Sequence, residues 1–202
     1  LRTLLATTAM TAAGVLALGA PPALAVGEFE TPTGEVVVGG SASFDRPADG
    51  VLNVMQNTQR VVIDWNSFNV GSKAKTEFFQ PNSSSLAVNR VVGNNADPTQ
   101  ILGSLKANGR LMVIDRSGVF FGRDSRIDVG GIIVSTGDVD TDAVMSGADR
   151  LELSNFGNGS VINYGTINVA DAGLAAFVSP SIANHGVINA KLGKVAFASG
   201  EK

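Results

Sequence analysis

Four aspartates are the residues of this chain that could do acid–base chemistry. An enzyme that cleaves a glycosidic bond needs two carboxylates facing each other across the bond, roughly 5 to 10 Å apart. Asp124 and Asp128 stand four positions apart around Arg126, which suits a salt-bridged surface equally well. No spacing requires a facing pair, so we expect no enzyme and keep a carbohydrate-active β-helix enzyme, a polysaccharide lyase or glycosidase, as the alternative. Its candidate carboxylates are Asp64, Asp115, Asp124 and Asp128.

A second acidic group has the spacing of a calcium-binding loop. Its members are Asp138, Asp140, Asp142 and Asp149. Such a loop needs glycine at its sharp turn, where this chain has Ala143, and it ends with a bidentate glutamate rather than an aspartate. The sequence therefore favours a solvated acidic turn, and no metal-binding residue is predicted.

The only histidine of the chain also lacks the partners that chemistry requires. His185 has no cysteine and no Ser–Asp pair to accompany it, so neither a metal site nor a catalytic triad is indicated. No cofactor is predicted. The net charge is −3 and no basic run is present, which argues against a nucleic-acid partner.

Internal repeats show which elements must position these residues. Residues 163–169 (NYGTINV) recur 21 positions later as residues 184–190 (NHGVINA), and residues 173–177 recur 20 positions later as residues 193–197. A period of about 20 residues with short strands is typical of a solenoid. Leucine-rich repeats share this period but need many leucines, which these segments lack. The sequence therefore predicts an all-β fold, a right-handed parallel β-helix.

The β-helix prediction fixes several stacking contacts. Ile167 and Ile188 should lie in adjacent rungs with their Cα atoms less than about 7 Å apart. Asn163 and Asn184 should form an amide ladder at a corner, and Tyr164 should stack on its counterpart His185. Roughly 175 mature residues at about 20 per rung predict eight or nine rungs. The predicted inward-facing residues of this part are Ile167, Val169, Leu174, Phe177, Ile188 and Phe197.

The start of the mature chain is predicted to cap this β-helix. Residues 36–38 are three valines between Gly34 and the pair Gly39-Gly40, and they indicate a short strand. An open strand edge at the end of a sheet would otherwise pair with another chain, so we expect an N-terminal capping segment there. In the following strand, Val61, Ile63 and Trp65 alternate onto one face, which predicts that Trp65 is buried.

The chain divides into three parts. Residues 1–25 combine Arg2, an alanine-rich apolar run and Ala23-Leu24-Ala25, which predicts a signal peptide cleaved after Ala25 and hence export. Residues 26–155 hold the cap and the first rungs. Residues 156–202 hold β-helix repeats that we expect to be cut short, with the protein continuing further.

A series of short motifs follows in a fixed order through residues 62–136. In this order, over about half the chain, they resemble the amino-terminal secretion domain of the filamentous haemagglutinin family, the exported partner of two-partner secretion systems in Gram-negative bacteria. The family usually has Asn-Pro-Asn-Gly where this chain has residues 115–118, Asp-Arg-Ser-Gly, and only the glycine is kept. The motifs are Ile63-Asp64-Trp65, Phe68-Asn69-Val70, Phe79-Gln80-Pro81-Asn82, Ala87-Val88-Asn89-Arg90-Val91, Asp97-Pro98-Thr99-Gln100-Ile101, Ala107-Asn108-Gly109-Arg110, Gly118-Val119-Phe120-Phe121-Gly122 and Val129-Gly130-Gly131.

The resemblance implies a function and its partners. The chain would be the secretion domain of a large surface protein of haemagglutinin or adhesin type, passed to the periplasm by the general secretory machinery. An outer-membrane transporter with periplasmic polypeptide-transport-associated domains would recognise it and release it to the medium or the cell surface. Regions further along would then meet a host or neighbouring cell. The residues implied in transporter recognition are Asn69, Asn89, Arg90, Asn108, Gly109, Asp115, Arg116, Ser117 and Gly118.

The absence of cysteine agrees with this implied route. Small exported domains commonly use disulfides for stability. A chain that crosses a narrow pore unfolded would be blocked by a disulfide formed beforehand in the periplasm. We therefore expect that this domain is stabilised by packing and backbone hydrogen bonds, and that it folds after it has crossed.

Overall fold

The computed structural model describes residues 26–93, 96–148 and 150–199, so the predicted signal peptide lies outside the described residues. These residues form short strands and one short helix. The elements are β1 (Val36–Gly39), β2 (Ala42–Asp45), β3 (Val51–Gln56), β4 (Arg60–Trp65), β5 (Lys75–Phe79), β6 (Leu86–Val91), β7 (Thr99–Ile101), β8 (Ser104–Ala107), β9 (Arg110–Ile114), β10 (Gly118–Phe121), β11 (Arg126–Val129), β12 (Gly131–Ser135), β13 (Asp138–Val139), α1 (Thr141–Ser146), β14 (Leu153–Ser154), β15 (Ser160–Asn163), β16 (Thr166–Val169), β17 (Leu174–Val178), β18 (Ser181–Asn184), β19 (Val187–Ala190) and β20 (Lys194–Ala198).

Three sheets form the faces of a β-solenoid of about six turns. The first sheet has the order β1-β4-β6-β9-β12-β17-β20, the second β18-β15-β10-β7, and the third β19-β16-β11-β8-β5-β3-β2. The chain visits the faces in turn, for example β9, β10, β11 and then β12 beside β9. Successive rungs therefore pair in parallel, which confirms the predicted parallel β-helix.

The predicted stacking contacts are present. Ile167 pairs directly with Ile188 between β16 and β19. At the corner, Asn163 Nδ2 donates a hydrogen bond of 2.8 Å to Asn184 Oδ1. The Tyr164 ring stacks on the His185 ring of the next rung, with the two ring centroids 4.8 Å apart. The repeats therefore give the correct register of the last rungs.

The predicted count of eight or nine rungs is wrong, because several rungs are longer than the assumed 20 residues. In the first sheet Val61 pairs with Ala87, 26 residues further along, and Ala87 pairs with Leu111, 24 residues further along. Ile132 pairs with Ala175, 43 residues later, whereas Leu111 with Ile132 and Ala175 with Val195 keep spacings of 21 and 20. The residues before β3 add no full rung, since they form the cap.

Strand alternation decides which side chains enter the core. Val61, Ile63 and Trp65 are completely buried in the main hydrophobic cluster, as predicted. The prediction for Leu174 is wrong, since its side chain is 37% exposed while Ala175 next to it is buried. Leu174 lies three positions before Phe177, and two strand residues at an odd separation face opposite sides.

The N-terminal residues cap the first rung as predicted. Strand β1 adds antiparallel to β4 at the edge of the first sheet, and β2 adds antiparallel to β3 at the edge of the third. Ahead of them, Gly71 N donates to Glu30 O and Lys73 N donates to Glu28 O, both at 2.8 Å. A register shift between Val37 and Gly39 marks a bulge in β1, a feature that disfavours further pairing at an exposed edge.

The rung of 43 residues contains an excursion, residues 136–155, that covers the outer face of the first sheet. Val139 and Val144 of this excursion pack in a second hydrophobic cluster with residues such as Met112. Asp140 caps α1 by accepting a hydrogen bond from Ala143 N at 2.8 Å. The six residues of α1 are the only α-helix among the described residues, and no helix there is long and apolar enough to cross a membrane.

Candidate functional site

The nine residues implied in recognition lie on the first four rungs, most of them at corners, whereas Asn89 and Arg90 lie within β6 of the first sheet. Most of them make hydrogen bonds inside the domain. Most of these bonds join segments of the chain that are 16 or more residues apart in sequence.

Asn69 replaces a strand that the second sheet lacks in the first rung. Its Oδ1 accepts a hydrogen bond of 2.9 Å from Gln100 N in β7, and its Nδ2 donates to Glu30 Oε1 at 2.9 Å. The neighbouring Val70 N donates to Gln100 O at 2.9 Å. Asn69 therefore completes the edge of β7 and ties it to the N-terminal cap.

Asn89 is a buried polar residue of β6. Its Oδ1 accepts a hydrogen bond of 3.1 Å from Trp65 Nε1, and its Nδ2 lies 3.4 Å from both Ala87 O and Met112 O. Neither Asn89 nor Trp65 is exposed at all. Because a buried indole N–H needs an acceptor, Asn89 is what allows the tryptophan to be placed in the core.

Arg90 links the first sheet to the excursion. Its Nε forms an ion pair with Asp64 Oδ1 at 2.7 Å, and its Nη1 lies 3.4 Å from Asp138 Oδ1. Burial alone would lower the pKa of Arg90, but the hydrogen bond to Asp64 and the charge of Asp138 raise it above its ordinary value. The guanidinium is therefore held charged between two carboxylates.

Asn108 and Gly109 form a corner that closes on Gln80. The Asn108 side chain accepts from Gln80 N at 2.7 Å and donates to Gln80 O at 2.8 Å, so it pairs with the backbone as a neighbouring strand would. Gly109 N donates to Gln80 Oε1 at 2.9 Å. A Cβ on Gly109 would lie 2.7 Å from that same oxygen, which excludes a larger residue without movement.

Asp115 is a buried carboxylate at the start of the turn before β10. Its Oδ2 accepts from Thr99 N at 2.9 Å and from Thr99 Oγ1 at 2.8 Å, while its Oδ1 accepts from Ser117 N at 2.8 Å. Burial raises the pKa of Asp115 above its ordinary value, and these hydrogen bonds only partly oppose the rise. The Asp115 side chain thus joins its own turn to Thr99 in β7 of the preceding rung.

The pKa of Asp115 predicts a pH dependence of stability. A carboxyl whose pKa is higher when folded takes up a proton first in the folded state, so its contribution to stability increases as pH falls through that pKa. The window lies just above the ordinary aspartate pKa of about 3.9. We expect the free energy of unfolding of the wild type minus that of Asp115→Asn to become more positive as the pH falls from about 7 to about 4.5.

Urea unfolding of both proteins at several pH values measures this difference. Asparagine is nearly the same size and does not titrate, so the pH slope of the difference reports Asp115 even if the variant is less stable throughout. If the wild-type value minus the variant value becomes more negative on acidification, the pKa of Asp115 is lowered instead.

The rest of this turn contains one exposed cation and one constrained glycine. Arg116 is exposed, and Ser117 is half-buried with its N–H bound to Asp115. Gly118 has a φ of +106°, and a Cβ there would lie 2.4 Å from Ser160 O in the next rung. The glycine of the family motif is therefore kept for a structural reason.

Asn69 and Asp115 both line one cleft of about 260 Å³. Its lining includes Glu30 of the cap together with Thr99 and Gln100 of β7. The other predicted residues do not line it. Gln80 and Thr99 are the central hydrogen-bond partners that the predicted set omitted, although both lie in the quoted motifs.

The four carboxylates of the enzyme alternative are separated by the fold. Asp64 pairs with Arg90 on the first sheet, and Asp128 accepts from Asn168 Nδ2 at 2.7 Å on the third. Asp115 is enclosed at its corner and Asp124 is exposed.

The calcium-loop spacing has another explanation in the structure. Asp138 lies beside Arg90 and Asp140 caps α1. Asp149 lies outside the described residues. Within the described ranges, no three His, Asp or Glu side chains converge as metal ligands.

Fold and polar network together define a class of protein. This is a capped β-solenoid whose motif residues complete backbone hydrogen bonds at the rung corners. Among the described residues the four candidate carboxylates lie at separate places, and no three His, Asp or Glu side chains converge as metal ligands. Such a domain is a capped β-solenoid held together by polar side chains at its corners as well as by its apolar core.

Comparison with known proteins identifies the family. The TPS secretion domain matches residues 30–202, and the chain belongs to this family of two-partner secretion exoproteins. The HMW1 secretion domain from Haemophilus influenzae has a similar structure, with a TM-score of 0.76 and 25% identity over 84% of this chain and 45% of that chain.

Two curated relatives are named heme/hemopexin-binding protein, both from Haemophilus influenzae. One is 34% identical over 131 residues, which is 65% of this chain, and the other is 34% identical over 101 residues, which is 50%. The aligned parts span only 13% and 11% of those proteins. The chain is thus the secretion domain of an exported protein of Gram-negative bacteria, recognised by a cognate outer-membrane transporter. Nothing in these similarities supports the carbohydrate-active enzyme.

Proposed function

We propose that the transporter reads this domain as an extended chain in the periplasm, before the solenoid forms. The supporting observation is that Asn69, Asn89 and Asn108 spend their side-chain hydrogen bonds on the domain itself. A partner could use these groups only while they are free, which means before the rungs close. The same residues would then have two roles. They would be recognised by the transporter while the chain is extended, and they would later form hydrogen bonds within the folded domain.

The transporter's periplasmic polypeptide-transport-associated domains would bind the extended chain by strand addition. In that mode main-chain hydrogen bonds supply affinity and alternate side chains supply selectivity. The short strands of residues 62–136 suit it, since each is β-prone and flanked by turn residues. After passage the chain would fold from the cap onward, and the cap would close the first edge.

We also propose that the whole protein is a surface protein of haemagglutinin or adhesin type. The small fraction of each curated relative that this chain covers supports a long remainder in this protein too. Binding to heme or hemopexin is the named activity of those relatives, and a host ligand would be sought among such targets first.

Two variants with similar losses of stability can distinguish a role in transporter recognition from a role in folding. Asn89→Ala leaves the buried Trp65 N–H without an acceptor and should cost about 1 to 3 kcal/mol. Val161→Ala, outside the motif block and also fully buried, should cost a similar amount by leaving a small cavity. We expect export through the cognate transporter to fall several-fold for Asn89→Ala and to change little for Val161→Ala.

Export is measured as the fraction of chain released to the medium against the fraction retained in the periplasm. Arg116→Ala supplies a third arm, because its exposed side chain adds little to stability, so any loss of export by this variant reports recognition alone. Equal losses for Asn89→Ala and Val161→Ala at equal stability would refute an address at Asn89.

A further inference from the structure

The chain contains two Asn-Gly pairs, Asn108-Gly109 and Asn158-Gly159. In such a pair the glycine nitrogen can attack Cγ of the asparagine side chain. The new N–C bond forms as the Cγ–Nδ2 bond breaks, ammonia leaves, and water opens the succinimide ring to aspartate or isoaspartate. Glycine has no Cβ to hinder the approach, so both pairs are open to this reaction in an extended chain.

The fold blocks the reaction at Asn108. Its Nδ2 and Oδ1 are both held by the Gln80 backbone, at 2.8 and 2.7 Å, and the attacking Gly109 nitrogen donates to Gln80 Oε1 at 2.9 Å. Gly109 is also buried. Three hydrogen bonds must therefore break before the ring can close, and each favours the closed state by a factor of about two to ten.

Asn158 is a matched control inside the same chain. It is exposed, as Asn108 is, and its side chain makes no hydrogen bond in the described structure. Its neighbour Gly159 N donates only to Arg116 O, at 3.2 Å. One long hydrogen bond protects this pair, against three shorter ones at Asn108.

We propose that Asn108 is a deamidation site that stays open while the chain is unfolded and closes when the corner forms on Gln80. Conversion to aspartate replaces the Nδ2 donor with a carboxylate oxygen facing Gln80 O, which repels it. Isoaspartate adds a backbone atom and shifts the strand that follows. A chain that remains unfolded too long therefore loses its ability to complete this corner.

The first experiment compares the two pairs in the purified chain. Samples are kept at mildly alkaline pH in native buffer and in urea, and peptide mapping by mass spectrometry follows conversion at Asn108 and Asn158. In urea we expect similar rates at both. In native buffer we expect conversion at Asn108 to be at least about tenfold slower than in urea, and slower than at Asn158. Equal rates at Asn108 in both buffers would overturn the proposal.

Two sets of variants test the cause and the consequence. Gln80→Met keeps the side-chain length but removes the acceptor for Gly109 N, and it should speed native conversion at Asn108 without affecting Asn158. Asn108→Asp should lower the urea midpoint of unfolding clearly more than Asn158→Asp. If Asn108→Asp is too unstable to purify while Asn158→Asp is normal, the expectation is met. Equal midpoints for the two would contradict it.

A cellular arm rests on the proposed function. Chain held in the periplasm of cells without the transporter should accumulate product at Asn108, whereas chain released to the medium should not. Protected Asn108 in periplasmic chain, together with rapid conversion in urea, would mean that the domain folds before crossing. That result would refute unfolded passage and leave the chemistry of the site intact.

Discussion

Replacing Gly118 with alanine is expected to destabilise the domain by about 2 to 5 kcal/mol, because two separate costs add. The φ of +106° is one that L-residues rarely adopt. In addition the new Cβ would meet Ser160 O at 2.4 Å, and this atom is backbone that the ladder between β10 and β15 holds in place. Urea unfolding measures the effect, and the midpoint should fall with little change in slope.

Gly131→Ala is the matched control for this substitution. Gly131 lies in β12, its φ is not in the left-handed region, and the nearest atom to an added Cβ is Arg110 Cγ at 3.2 Å, part of a flexible side chain. We expect a change within about 1 kcal/mol, since alanine also reduces the entropy of the unfolded chain. A loss at Gly118 as small as at Gly131 would mean that the corner of the family motif tolerates a side chain.

The sequence predicts the fold where stacking imposes the same demand on successive rungs. Asn163 and Asn184 recur because each occupies the same corner and bonds to the next, so the repeat itself reveals the register. The cap is also readable, from three valines between glycines at the start of the mature chain. The first signal is a repeat and the second is local, so both are visible without knowing which other segments meet.

The rung count and the excursion were not predictable in the same way. The excursion makes one rung 43 residues long, and its helix α1 is too short to show a period of 3.6 residues. Only its ends carry signals, the capping Asp140 and the left-handed Gly147. An average of about 20 residues per rung, taken from the last two rungs, therefore overestimates the number of turns.

The candidate site shows the same division. Resemblance points to Asn89 and Asn108, but their partners Trp65 and Gln80 lie 24 and 28 residues away. Those separations follow from the early rung lengths, which the sequence does not state. The internal role of these residues, and hence the argument that a partner must read them before folding, needs the three-dimensional structure.

Cysteines placed on adjacent rungs provide the strongest test of unfolded passage. Ile167 and Ile188 are direct neighbours across β16 and β19, and parallel strands about 4.8 Å apart lie within the reach of a disulfide. Ile127 pairs with Ile167 in turn, so Ile127 and Ile188 are two rungs apart, about 10 Å, which is too far for a disulfide in the folded domain. The two cysteine pairs share position 188, and the folded domain permits the bond in the first pair but not in the second.

In oxidising cells we expect the Ile167→Cys, Ile188→Cys variant to be held in the periplasm and released when a reductant is supplied, because a cross-linked loop cannot pass a narrow pore. The Ile127→Cys, Ile188→Cys variant should be held as well, since an unfolded chain brings any two cysteines together. Each single variant should be exported nearly normally, apart from the modest cost of a smaller core side chain. If only the adjacent-rung pair cross-links, the domain folds before it crosses. If the adjacent-rung pair is oxidised before translocation and still exported as well as the wild type, passage does not require an unfolded chain, and the lack of cysteine needs another explanation.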